Sequence, residues 1–222
     1  TNISGAVLFN YTIGDGNGGS SSATLTVNVG ANTPPLGADL TVSVAEDGSR
    51  GFSAADFGFS DADAGQSLAA VRIDALPAAG SLLLNGSPVT AGTVVSAAQL
   101  AAGALVFVPA ADANGSAYAS FGFSVQDNAG AFDTTSDTIT IDVSPVNDAP
   151  VASSSTISVA EESTNTPLGL TAPTDIDGNA LTITVTGLPS VGTITLANGT
   201  PITNGQVLTA AQLAGLQFDA PA

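Results

Sequence analysis

The sequence predicts an all-β chain built from tandem β-sandwiches of about seven strands each. Three observations carry that prediction. Apolar residues alternate with small or polar ones in Phe121, Phe123 and Val125, in Ile139, Ile141 and Val143, and in Leu181, Ile183 and Val185. Period two is the signature of a strand with one buried face. Gly, Asn, Asp and Pro separate these runs at spacings typical of a sandwich. One unit of about 112 residues recurs along the whole chain.

The repeat is legible block by block. Phe9-Asn10-Tyr11-Thr12-Ile13-Gly14-Asp15 matches Phe121-Gly122-Phe123-Ser124-Val125-Gln126-Asp127, and Leu25-Thr26-Val27-Asn28-Val29 matches Ile139-Thr140-Ile141-Asp142-Val143. Asn32-Thr33-Pro34-Pro35 matches Asn147-Asp148-Ala149-Pro150, and Val42-Ser43-Val44-Ala45-Glu46-Asp47 matches Ile157-Ser158-Val159-Ala160-Glu161-Glu162. Ser96-Ala97-Ala98-Gln99-Leu100 matches Thr209-Ala210-Ala211-Gln212-Leu213, and Phe107 matches Phe218. By phase, 1–33 are the C-terminal hairpin of a preceding repeat, 34–148 a complete sandwich, and 149–222 the first five strands of the next. Asn2 falls at the phase of Asn114. In the complete unit, strands are expected over 40–45, 51–57, 68–75, 81–84, 104–108, 120–126 and 137–143. A helical turn is expected over 96–101, with Ser96 as N-cap. Seven strands without Cys fit an immunoglobulin-like sandwich. The start, Thr1-Asn2-Ile3-Ser4, has no Met and no signal-peptide pattern, so the chain is expected to be processed or cut from something longer.

Composition excludes much chemistry. The 222 residues carry 19 acids against Arg50 and Arg72, a net charge of -17, and no Lys, His, Cys, Met or Trp. Without His and Cys there is no zinc-, copper- or iron-type site, no Ser-His-Asp triad and no thiolate nucleophile. Without Lys there is no Schiff base and no phosphate-loop lysine. The charge repels nucleic acid and anionic lipid, and no apolar run approaches the ~18 residues of a membrane span. What remains is oxygen: carboxylates, amides, hydroxyls and carbonyls, the ligands of hard cations and of calcium above all.

Placed on the sandwich, these acids converge. The corner between the first two strands and the loop between the fifth and sixth lie at the end where the chain leaves. The loops between the second and third and between the sixth and seventh lie where it enters. Glu46, Asp47 and Asp112 therefore fall at the exit of 34–148, the linker adds Asn147 and Asp148, and the next repeat adds Asp175 and Asp177. Like charges at such spacing repel unless a cation joins them. Calcium, with six to eight oxygens, is the expected cofactor. Asp61, Asp63 and Asp127 occupy the corresponding entrance of the middle repeat.

Three motifs carry a family resemblance. Ala45-Glu46-Asp47 and Ala160-Glu161-Glu162 resemble the first-strand Glu motif of cadherin repeats. Asp61-Ala62-Asp63 and Asp175-Ile176-Asp177 resemble the Asp-x-Asp motif, and Val146-Asn147-Asp148-Ala149-Pro150 resembles the linker motif. The unit is similar to the bacterial cadherin-like repeats of large calcium-dependent surface adhesins. The resemblance implies a rod of sandwiches with calcium at the joints, projecting from a cell surface. Thr33 stands where that linker has Asp, so calcium is expected to be weaker or absent at the first junction. No clear Asp-Arg-Glu motif is visible, and Asp112 is the candidate in its place.

Each acid also has a plainer reading, because Asp and Asn favour turns on their own account. Gly14-Asp15-Gly16-Asn17-Gly18-Gly19 aligns with Gln126-Asp127-Asn128-Ala129-Gly130 and reads as a hairpin turn. Carboxylate pairs can hydrolyse glycosides, but Trp is absent and Tyr11 and Tyr118 are the only tyrosines. No enzyme is expected. The expected function is an extracellular, cell-surface structural repeat of an adhesin or filament, with a carbohydrate- or protein-binding sandwich module as the alternative. Residues 1–33 are expected to complete a sandwich other than the one they lead into. A sandwich some ~40 Å long separates the two partial blocks, and no spare linker spans it. The expected partners are neighbouring copies of the repeat, met head-to-tail either across a covalent bond in a longer parent chain or by strand addition between chains, and a host or surface glycan or protein, with neither nucleic acid nor a bilayer.

Overall fold

The computed structural model describes residues 4–221 and divides into two compact units at Val146/Asn147, each of which folds around its own core. The fold is all-β, as the alternation predicts.

The first unit opens with a hairpin. Strand β1 (Gly5–Gly14) pairs antiparallel with β2 (Ser20–Val29) along its full length, from Gly5 opposite Val29 to Gly14 opposite Ser20. Asp15 starts the turn: its carboxylate accepts from the Asn17 and Gly19 N–H groups at 2.8 and 2.9 Å. These two donors hold its pKa below the ordinary carboxylate value. Every residue of both strands is exposed.

The rest of the unit is a sandwich of two sheets. Its strands are β3 (Leu40–Ala45), β4 (Arg50–Gly51), β5 (Leu68–Ala75), β6 (Ser81–Leu84), β7 (Ser87–Pro88), β8 (Val94–Ser96), β9 (Leu105–Val108), β10 (Gly115–Asp127) and β11 (Asp137–Ser144). One sheet runs β3-β11-β10-β5-β8 and the other β4-β9-β6-β7. Parallel pairing of β3 with β11 closes the larger sheet, and every other pairing is antiparallel. Alternation along each strand sends one set of side chains inward. Phe52, Phe57, Ile73, Leu105, Phe107, Phe121, Phe123, Ile139 and Ile141 are almost wholly buried. Phe52 meets Phe121 edge-on at 5.2 Å between ring centres, and Phe57 meets Phe123 edge-on at 4.9 Å. Both are favoured quadrupole geometries.

The structure departs from expectation at 51–57. The strand there shortens to Arg50–Gly51, and Ala54–Phe57 form a 3-10 turn. Asp56 explains the switch: it takes the Ser53 N–H at 2.7 Å and pairs with Arg50 at 2.6 Å, folding the chain back on itself. Two short strands, β7 and β8, were not anticipated. The turn before β7 is Asn85-Gly86, both at positive φ (51° and 77°), the two-residue hairpin loop whose twist matches that of the flanking strands. Helix α1 (Ala97–Ala101) forms as the sequence predicts, with Ser96 accepting from Gln99 N–H and Gln99 reaching back to Ser96 N–H. Arg72 lies in β5, bonded to Asp74 at 2.5 Å and to Ser124 at 3.2 Å, with its guanidinium over the Phe132 ring.

The second unit repeats this plan in part: residues 155–160, the counterpart of β3 and the first of the five strands expected over 149–222, form no strand. Its strands are β12 (Thr166–Pro167), β13 (Ile183–Thr184), β14 (Thr193–Thr195), β15 (Val207–Leu208) and β16 (Gln217–Asp219), with helix α2 (Ala210–Ala214) capped by Thr209. The order β12-β16-β14 repeats β4-β9-β6, and β13-β15 repeats β5-β8. Gly192 lies as Gly80 does: a Cβ there would stand 2.4 Å from the Phe218 ring, against 2.5 Å from Phe107 at Gly80. Among the described residues of this unit, the buried hydrophobic core is Ile202, Leu208 and Leu216.

Counterparts in the repeat have opposite surroundings, so their truncation should differ. Phe123→Ala should cost about 3–5 kcal/mol in urea unfolding of the first unit. Tyr11→Ala, at the same phase but exposed, should change it by less than about 0.5 kcal/mol in dilute solution.

Candidate cation-binding ends of the sandwich

Three sets of oxygen-bearing side chains form where loops meet linkers. At the exit of the first unit, the end of β3 delivers Glu46 into the protein, 3% exposed. Its carboxylate accepts from Asn114 Nδ2 at 2.9 Å and from the Val146 N–H at 2.6 Å. These donors stabilise the charged form and hold the Glu46 pKa below the ordinary range. The predicted Asp47 and Asp112 are exposed. Asp112 sits at φ 55° in a left-handed turn, and it is Asn114, two residues on, that reaches Glu46. Sequence reasoning missed Asn114, although its repeat counterpart Asn2 was a usable signal.

At the entrance of the same sandwich, the predicted Asp61, Asp63 and Asp127 gather around the incoming chain. Asp63 accepts the Thr33 N–H at 2.6 Å, and Asp61 accepts the Asp63 N–H at 2.7 Å. Asp127, 1% exposed, accepts from Asn32 Nδ2 at 2.8 Å and from the Ala131 N–H at 2.7 Å. Gln66 Nε2 donates to Asn32 Oδ1 at 3.1 Å. Two acceptor atoms here, Asp61 Oδ2 and Gln66 Oε1, are buried and accept no hydrogen bond.

The second unit repeats the entrance arrangement. Asp177 accepts the Asp148 N–H at 2.7 Å, Asn179 Nδ2 donates to Asn147 Oδ1 at 2.8 Å, and Asp175 accepts the Asn179 N–H at 3.1 Å. The sequence-predicted Asn147, Asp148, Asp175 and Asp177 are thus bound into one local network. Asp148 and Thr33 occupy equivalent places, each held through its backbone by the second Asp of Asp-x-Asp.

A further acidic group, Asp39, Asp133 and Asp137, lies at the start of β11 and was not singled out in the sequence. Burial pushes Asp137 up, and the charges of Asp133 and Asp39 push it further. Burial also raises Asp133, but N–H donors from Thr135 and Gly37 outweigh it and leave that pKa lowered. A Cβ on Gly37 would stand 2.2 Å from Asp137 Oδ2, so any other residue here needs that carboxylate to move.

Residues 147–215 match a family model described as Bacterial Ig domain. The Bacterial Ig domain match takes in the Asn147–Asp148 linker, the Asp175–Asp177 loop and β12 to α2. No curated protein matches the chain. Among the described residues, no helix is long and apolar enough to cross a membrane.

The raised Asp137 pKa fixes a sign. A carboxyl that binds its proton more tightly when folded adds stability in acid and loses it as pH rises through its folded pKa. Asp137→Asn should therefore raise the melting temperature of the first unit by a few degrees at pH 7. Thermal melts should show that gain vanishing below about pH 4, where the wild-type carboxyl is protonated in both states.

Proposed function

We propose that this chain is an extracellular structural repeat of a bacterial surface adhesin or filament, stiffened by calcium at the ends of its sandwiches, with no turnover chemistry. The Bacterial Ig domain match supports a surface or structural module. One observation carries the calcium reading: the entrance of the first unit gathers only oxygen and amide donors, and leaves Asp61 Oδ2 and Gln66 Oε1 buried without a partner. Orphaned buried acceptors are costly, and a hard cation satisfies them. Asp63, Asp127 and Asn32 stand beside them with further oxygens. Thr33 is held through its N–H by Asp63 but offers no carboxylate where the second unit has Asp148, so weaker calcium binding at this first site is still expected.

At the linker that follows, Asn147, Asp148 and Asp177 of the second unit are the proposed ligands. Asp177 holds the N–H of Asp148, and Asn179 Nδ2 donates to Asn147 Oδ1. With a net charge of -17 and two arginines in the chain, bound cations also relieve self-repulsion. The role so described is reach and stiffness.

Isothermal titration with calcium should give saturable binding that Asp61→Ala reduces at one site and Asp177→Ala at another. Small-angle scattering should show a longer, stiffer particle in calcium than in EGTA. A blank titration together with superimposable scattering curves would sink the calcium reading.

A further inference from the structure

Five Asn-Gly pairs occur in the chain: Asn17-Gly18, Asn85-Gly86, Asn114-Gly115, Asn198-Gly199 and Asn204-Gly205. An asparagine followed by glycine can react with its own main chain. The glycine nitrogen attacks the side-chain amide carbon, and glycine, with no Cβ, hinders that approach least. Two conditions govern the step. The glycine N–H must be free, and the asparagine must be able to turn about ψ until the nitrogen reaches Cγ. The five pairs differ on both.

Four of them are held by hydrogen bonds or by a ladder. Gly205 N–H donates to the Val185 carbonyl at 2.8 Å. Gly199 N–H donates to the Leu196 carbonyl at 2.8 Å, and Asn198 Oδ1 accepts the Thr200 N–H at 3.0 Å. Asn114 Nδ2 donates to Glu46 at 2.9 Å, and Gly115 lies in β10 opposite Val143. Asn85 and Gly86 are the whole loop between β6 and β7. Leu84 pairs with Ser87 across that loop, and Asn85 N–H donates to the Ala104 carbonyl at 2.9 Å. Turning Asn85 about ψ would part the ladder.

Asn17-Gly18 is free on both counts. The pair is exposed in the turn between β1 and β2. Among the described residues, neither the Asn17 side chain nor the Gly18 N–H makes a hydrogen bond. The turn is anchored on either side of the pair. Asp15 accepts from the Asn17 and Gly19 N–H groups at 2.8 and 2.9 Å, and its own N–H donates to the Gly19 carbonyl at 3.0 Å. The bond about Asn17 ψ and the Gly18 nitrogen lie between these anchors and are fixed by neither. Exposure here belongs to the turn, not to the faces of the strands: the corresponding turn between β10 and β11 leaves Asn128 exposed beside a fully packed pair of strands.

We propose that the geometry of this turn makes Asn17 the chain's site of spontaneous deamidation, with the Gly18 main-chain nitrogen as nucleophile and water as the co-reactant. The bond from Gly18 N to Asn17 Cγ forms as the Cγ–Nδ2 bond breaks, and the Gly18 proton leaves with Nδ2 as ammonia. Water then opens the cyclic imide at one of its two carbonyls. Opening at Cγ restores the main chain and leaves an aspartate. Opening at the main-chain carbonyl routes the chain through Cγ as isoaspartate. No atom changes oxidation state. Both products carry a new carboxylate, so the net charge of -17 becomes one unit more negative. Isoaspartate also adds a carbon to the main chain between two N–H groups that share Asp15 Oδ1. The longer path is mismatched to that shared acceptor and loosens the turn.

The test holds the 222-residue chain at mildly alkaline pH and body temperature and maps its chymotryptic peptides by mass spectrometry over time. The Asn17 peptide should take on the mass of an acid in place of an amide and split into aspartyl and isoaspartyl peaks. Opening a hydrogen bond first should slow each of the other pairs roughly tenfold, the rate equivalent of about 1.4 kcal/mol. In urea, where the turns are lost, the preference for Asn17 should vanish. Asn17→Gln, which would have to close a larger ring, should remove the first acidic form seen on ion exchange while the first unit melts as in the wild type. Another pair reacting as fast as Asn17 in the folded chain, a first acidic form that persists in Asn17→Gln, or a preference for Asn17 that survives in urea would each overturn the proposal.

Discussion

Insertion of the β10–β11 pair between β3 and β5 is the interaction on which the sandwich of the first unit depends. That one hairpin supplies Phe121, Phe123, Val125, Ile139, Ile141 and Val143 to the core, and it gives β3 its parallel partner and β5 its second neighbour. Edge-on contacts from Phe121 and Phe123 to Phe52 and Phe57 then tie the larger sheet to the chain that crosses to the smaller one. Among its described residues the second unit keeps the β12-β16-β14 and β13-β15 pairings without such a pair. Its short strands keep their registers, yet most of its apolar side chains are only partly covered. Local pairing survives there, while burial, the larger contribution to stability, is reduced.

A second constraint is electrostatic. With 19 acids and two arginines, most carboxylates find no cationic partner. The chain answers with N–H donors. Asp15, Asp61, Asp63, Asp127, Asp133, Asp175 and Asp177 each accept a backbone N–H that orders a turn or linker. Such bonds hold loop geometry without lysine or disulfides, and they concentrate negative charge at the sandwich ends.

Much of the fold was legible because alternation and repetition report directly on buried faces. The strands at 40–45, 68–75 and 81–84 and the Ser96-capped turn follow from pattern alone. The 51–57 segment was not legible, because its conformation is set by Asp56 bonding Ser53 and Arg50, a side-chain effect that hydrophobic period does not record. The ends of the sandwich were legible as clusters but not as pairings. Sequence spacing brought Asp61, Asp63 and Asp127 to one end, as strand topology requires. It could not tell Asp112 from Asn114 beside Glu46, since the outcome turns on one left-handed residue. The Asp39, Asp133 and Asp137 group escaped notice because its members converge through pairing of β3 and β11, not through a local motif.

The two arginines carry a consequence for digestion of the chain. They are the chain's only cleavage points for proteases that cut after basic residues. Both lie in strands, Arg50 in β4 and Arg72 in β5, and both guanidiniums are engaged, with Asp56 and with Asp74 and Ser124. A trypsin-like enzyme needs its target peptide extended and free, so cutting here waits on opening of the sandwich itself. Scarcity of basic residues thus ties digestion by this enzyme class to unfolding of the first unit and leaves the exposed loops and the hairpin with nothing for it to cut.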